Sequence, residues 1–158
     1  MPIYMKYGKM KGDVTAKGHE GWIELQSAQM GVHRNVTSPS GRGVNRDSSP
    51  AVQEIVITKY QDSSSTELFR EGMWGGGADV EIHFLKTDDP NPYLVIKLKN
   101  TLIANYSVSG HGGDIHGRPM ESLSLNFTSI EYAAGGPKNT QKQSPPPQML
   151  QWHLGEEP

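Results

Sequence analysis

Apolar and polar residues alternate along Ala78 to Leu85. Ala78, Val80, Ile82 and Phe84 fall on one side, and Asp79, Glu81 and His83 on the other. A period of two marks a strand with one buried face. The pattern recurs from Tyr93 to Ala104, where Leu94, Ile96, Leu98 and Leu102 oppose Lys97, Lys99 and Thr101. Asp88-Asp89-Pro90-Asn91-Pro92 between the two runs is a turn signal, so the runs are expected to pair antiparallel. Glu121 to Tyr132 reads as the last long strand, with Leu123, Leu125 and Phe127 inward and Ser122, Ser124, Asn126 and Thr128 outward. Ile3 to Met10 reads as the first strand. Trp22 to Ala28 reads as the second, with Ile23 and Leu25 on one face, and Gly31 to Val36 continues it after a kink. Met149 to Leu154 is expected to form a closing strand.

One stretch changes period. Val52 to Phe69 begins as a strand through Ile55, Val56, Ile57 and Tyr60, breaks at Gln61-Asp62-Ser63, and restarts as a helix. Ser64-x-x-Glu67 has the form of a capping box, with Asp62 and Ser65 as alternative caps. Leu68, Phe69 and Met73 form a short apolar stripe that stops near Gly72 and Gly75-Gly76-Gly77. No comparable helical pattern appears elsewhere, so the chain reads as mainly β with one short helix.

Two stretches have no period. Thr37 to Pro50 is polar and holds two glycines and two prolines. Structureless loops of this length inside a domain are uncommon, and the functional expectation is an arm that docks on a neighbouring subunit. From Gly135 to Gln148 the composition shifts to Gly, Pro, Lys, Gln and Ser, with Pro145-Pro146-Pro147 expected as polyproline II.

Composition narrows the function classes. At 158 residues the chain suits one domain with a real core. A net charge of −2 argues against a nucleic-acid or membrane-surface protein, since both favour a concentrated positive patch. The chain has no cysteine, which excludes disulfides, thiolate catalysis and Cys-based metal sites. The N-terminal MPIYMKYGKMKGD has no apolar run suited to a secretion signal or a membrane span. Hydrophobic content of 34% is low for an ordinary monomer, which suits long loops and a core completed by a partner subunit.

Candidate chemistry is thin. His111-x-x-Asp114-x-His116 offers two imidazoles and a carboxylate for a divalent ion, but the Gly-rich segment supplies no fourth ligand and a solvated turn is expected. Gly75-Gly76-Gly77 follows a helix instead of preceding one, which suits a helix stop and not a phosphate loop. Asp88-Asp89 belong to a turn, and no Gly-x-Ser-x-Gly elbow is present. No catalytic residue, metal or cofactor is expected. Trp22 and Trp74 are expected in the core or at an interface. Lys97 and Lys99 suit a solvated strand face, or the wall of a pore if copies form a ring.

Four stretches in order resemble the haemolysin-coregulated proteins (Hcp), the inner-tube proteins of bacterial type VI secretion systems. They are Lys11-Gly12 after the opening strand, the loop with Arg46, Ser48, Ser49 and Pro50, the run Glu54 to Tyr60 with Asp62, Ser64, Ser65 and Leu68, and Arg118 to Phe127. The resemblance covers roughly residues 3 to 134. It implies one domain over residues 1–158, a compact β-barrel of two antiparallel sheets with a flanking helix. It further implies hexameric rings that stack into a tube, with a contractile sheath around it, a spike at its tip and small effectors in its lumen. Arg42, Val44, Arg46, Asp47 and Ser48 become candidates for ring stacking and subunit contact. Lys97, Lys99, Ser124 and Asn126 become candidates for the lumen wall. Such a protein is cytoplasmic before firing and then leaves the cell without a cleaved signal. Two rival readings stand beside this one: a monomeric β-barrel that binds a ligand or glycan through Trp22 or Trp74, and a metal hydrolase built on His111, Asp114 and His116.

Overall fold

The computed structural model describes residues 1–34, 51–113, 115 and 117–135, together with the backbone of a strand at 148–153. The strands are β1 (Ile3–Tyr7), β2 (Ile23–Leu25), β3 (Ser27–Gln29), β4 (Val32–His33), β5 (Ala51–Val52) and β6 (Ile55–Tyr60). The helix α1 (Ser65–Trp74) follows, then β7 (Ala78–Leu85), β8 (Pro92–Ser109), β9 (Met120–Asn126), β10 (Ser129–Ala134) and β11 (Gln148–His153).

The main ladder runs β2-β1-β7-β8-β9-β6-β3, with β10 bonded to β8 and β11 bonded to β10. Every pairing in it is antiparallel. Its first strand, β2, and its last, β3, are consecutive pieces of one chain separated by a bend at Gln26. Gln26 N–H still donates to Thr58 O at 2.8 Å, so the chain leaves β1 and joins β6 within two residues. The sheets thus turn into one another here and again along β8, which gives a barrel-like body. Trp22 to Ala28 is therefore two short strands and not one. The small β4–β5 pair stands apart, and residues 35–50 lie outside the described residues.

The second corner explains an inversion. Ile96 and Leu98 of β8 are buried, but so are Thr101 and Ile103, whereas Leu102 is 43% exposed. The sequence pattern placed Leu102 inward and Thr101 outward. Asn100 takes a left-handed φ of 51°. Its β8 neighbours Leu98 and Thr101 face Val80 and Ala78, so three steps on β8 match two on β7. This bulge bends the strand and flips its faces. A second irregularity lies between Ile103 and Asn105 opposite β9. Beyond both, β8 continues to Ser109, five residues past the expected end.

Other expectations shift by smaller amounts. The first strand ends at Tyr7 because Gly8, at φ 53°, turns and donates to Asp79 O at 2.8 Å. Glu121 to Tyr132 is two strands: β9 pairs with β6, and β10 moves to the other half of β8 and pairs with β11. Leu85 is buried in place of Phe84, at a register shift. The closing strand is present as β11, one residue earlier than expected.

Both sheets turn apolar faces toward one core, where Met5, Tyr7, Ile23, Ile55, Ile57, Ile82, Leu123 and Leu125 are fully buried. The helix adds Leu68, whose burial contributes roughly 2–3 kcal/mol. Phe69 and Met73 do not join it; each is 54% exposed. Only Leu68 of the expected stripe therefore packs inward.

Candidate functional site

Alternation along β6 sends Ile55 and Ile57 inward, and the same period sends Lys59 inward. A lone buried ammonium is strongly disfavoured, so Lys59 needs partners. It has three: Nζ donates to Glu121 Oε2 at 2.6 Å, Asp62 Oδ1 at 3.0 Å and Ser65 Oγ at 3.3 Å. All three of its donors are used. Glu121 lies directly opposite Lys59 in the β6–β9 ladder, and its other oxygen accepts from the Tyr106 hydroxyl. Burial alone would raise the Glu121 pKa, but the hydrogen bonds from Lys59, Tyr106 and Ser65 outweigh it and hold the carboxyl below its ordinary value. Burial and then the Glu121 contact push the Tyr106 hydroxyl upward.

The same group starts the helix. Asp62 Oδ1 accepts from Ser64 N–H at 2.9 Å, and Asp62 N–H donates to Ser65 Oγ at 3.0 Å. Ser64 makes no side-chain cap, so the capping box is not formed and Asp62 does that work. The junction is saturated from within the chain. It fixes where α1 leaves the sheet.

Around it lie three surfaces. The outer side of α1 carries large apolar side chains beside the exposed Glu67–Arg70 ion pair: Phe69 and Met73 are 54% exposed and Trp74 75%. Phe69 packs edge-on against Tyr106, with ring centroids 5.8 Å apart. Phe69, Tyr106, Val108 and Pro119 line a groove of about 400 Å³. The outer face of β3, β6 and β9 is mostly uncharged, with Ser27, Gln29, Thr58, Ser122, Ser124 and Asn126. The outer face of β1, β7 and the first half of β8 carries Lys6, Glu81, His83 and Lys97. The four lumen candidates divide between these sheets: Lys97 and Lys99 are exposed on β8, Asn126 is exposed on β9 and Ser124 half-buried there.

A histidine pair escaped the sequence reading. His19 Nε2 and His83 Nδ1 are 2.8 Å apart, and His83 Nε2 is 2.6 Å from Glu81 Oε1. Glu81 and His83 share a strand face and were legible as neighbours. His19, in a Gly-flanked break, gave no signal. His111 is exposed before a turn at Gly112 and Gly113, while Asp114 and His116 lie outside the described residues. Among the described residues no group of three His, Asp or Glu is placed to hold a metal ion. Arg42, Val44, Arg46, Asp47 and Ser48 also lie outside the described residues.

Residues 4–133 match the sequence profile of a family described as "Type VI secretion system effector, Hcp". Protein hcp1 of Pseudomonas aeruginosa is 26% identical over 132 residues, which span 82% of this chain and 80% of that protein. Among solved structures, one described as a type six secretion system protein superposes with a TM-score of 0.87 at 22% identity, over 97% of this chain and 95% of the other. Hcp1 from Salmonella typhimurium superposes with a TM-score of 0.75 at 20% identity, over 96% and 93%. The solved structures share this chain's fold, and the profile match runs from β1 into β10, through the helix and the Lys59 junction. The chain belongs to the Hcp family of type VI secretion system proteins.

Proposed function

We propose that this chain is a structural tube subunit that assembles with itself into hexameric rings, and that the rings stack into an exported tube. The action is mechanical and uses no cofactor. The observation that carries the reading is the outer side of α1. Leu68 already anchors the helix to the core, yet Phe69, which shares a groove with the exposed Val108, remains exposed, as do Met73 and Trp74. A cluster of large apolar side chains on a surface marks a contact with another protein. A neighbouring copy in the ring covers it.

Ser124 and Asn126 are assigned to the lumen, because a wall mostly of hydroxyls and amides, with the Glu54 carboxylate bonded to Asn126, holds little fixed charge to retain a passing effector. Lys97 and Lys99 then face away from the lumen, toward the sheath. The segment with Arg42, Val44, Arg46, Asp47 and Ser48 is assigned to ring stacking. Among the described residues no helix is long and apolar enough to cross a membrane. The spike, sheath and effectors of the same system are the proposed partners, and export follows that machinery.

Sedimentation velocity at rising concentration tests the contact. The native chain is expected as a species of about six subunits, since cyclic contacts close into rings. The Met73→Ser/Trp74→Ser variant is expected as smaller species with an unchanged circular-dichroism spectrum. A native chain that stays monomeric, and whose tryptophan fluorescence answers to an added glycan, would support the binding-module reading instead.

A further inference from the structure

The segment from Lys11 to Trp22 folds on itself. Gly12 N–H donates to Gly21 O at 2.8 Å, Gly21 N–H to Val14 O at 2.8 Å, and Val14 N–H to Trp22 O at 3.1 Å. It is fastened to the barrel at two ends. Near one end the Asp13 carboxylate accepts from Ser63 N–H at 3.3 Å and from the Ser63 hydroxyl. At the other, His19 is 3% exposed between Tyr4 and Trp22, with its Nε2 against His83.

We propose that His19, His83 and Glu81 form a proton-operated latch, which holds this segment on the sheet until the two imidazoles take a second added proton between them. The hydrogen bonds dictate the logic. The Glu81 carboxylate only accepts, so His83 Nε2 carries a proton. In the neutral pair His83 Nδ1 then accepts from His19 Nε2–H, which leaves the buried His19 Nδ1 with no proton to give the backbone of Lys17 and no close hydrogen-bond partner among the described residues. One added proton is accommodated. His83 becomes an imidazolium against Glu81 and donates Nδ1–H to His19 Nε2, and the proton of His19 moves to Nδ1. A second added proton is not. Two N–H donors and two cations then face one another at 2.8 Å, and the contact is repulsive.

The charges around the pair do not offset that repulsion. Lys17 and Glu20 flank His19 on the loop, Glu81 lies on β7, Lys6 on β1 and Lys97 on β8. Burial, and next the charge of His83, lowers the His19 pKa. A histidine with a lowered value favours its neutral form in the closed loop. Closure is therefore complete above the ordinary histidine value of about 6.5 and weakens as the pH falls through it. The Ser63 hydrogen bonds hold Asp13 below its ordinary value, so that fastening persists to lower pH. Release begins at the histidine end, and it frees Trp22, whose ring lies 4.6 Å from His83.

Amide hydrogen exchange at Gly12, Val14, Gly21 and Trp22 tests this, corrected for the intrinsic pH dependence. Between about pH 7.5 and about pH 5, opening of the segment is expected to rise up to roughly 30-fold, the factor for one histidine excluded from protonation 1.5 units below its ordinary value. Ladder amides of Ile57 and Leu123 are expected to stay unchanged. In His83→Gln the side-chain oxygen accepts from a protonated His19, so the step is expected to shrink below about threefold. Imidazole ¹⁵N shifts of the unmodified protein give a second readout. A full step retained in His83→Gln would overturn the proposal. So would two imidazoles that both become cationic while the loop amides stay protected.

Discussion

The Lys59 junction and the His19 contact both place titratable side chains beneath the surface, and they differ in how the polar atoms are matched. At the junction every donor of the ammonium has an acceptor, and a carboxylate stands opposite it in the ladder. At the histidine pair one buried nitrogen has no partner and the two rings compete for the same proton. The first arrangement holds the Glu121 carboxyl below its ordinary value and fixes a backbone path. The second accommodates one added proton and is opened by the next. Matching of buried polar groups, more than burial itself, separates a rigid joint from a responsive one.

The comparison is broken most directly at Glu121. Glu121→Ala leaves the Lys59 ammonium buried with one carboxylate partner fewer and is expected to cost about 3–5 kcal/mol in urea denaturation. The Lys59→Met/Glu121→Leu pair is expected to recover most of that loss, because it removes both charges together. A loss under about 1 kcal/mol for Glu121→Ala would mean the junction is solvated.

A smaller effect is expected in the loop. A Cβ at Gly12 would overlap the Trp22 carbonyl, so Gly12→Ala must separate the paired halves of the segment. The expected cost is about 1–3 kcal/mol of overall stability. Exchange at Val14 and Trp22 should become fast already at neutral pH. Retained protection there would show that the segment is held by the sheet contacts alone.

Much of this was legible beforehand. Alternation in Ala78–Leu85 and Glu121–Asn126 identified buried faces, because a half-wet strand writes its period into the sequence. Lys59 was also readable in principle: it sits two positions beyond Ile57 on the inward side, and an inward lysine calls for a carboxylate. The corners were not readable. At Asn100 one left-handed residue reverses the parity of β8, so Thr101 goes in and Leu102 comes out with no change in local composition. At Gln26 the chain changes partner strand, and the adjacent polar pair Gln26-Ser27 is a break in the period too slight to mark a corner. The His19–His83 pair joins positions 64 residues apart and depends on the path of a glycine-bounded loop. The helix and its stripe of Leu68, Phe69 and Met73 were found, and Trp74 was expected in the core or at an interface, but an apolar stripe does not reveal which of its residues the chain's own core covers.

Negative-stain imaging of the purified chain is the measurement that bears most directly on self-assembly. The account predicts closed rings of about six subunits around an open centre, some stacked end to end. Compact single particles at every concentration, with no ring among them, would contradict it.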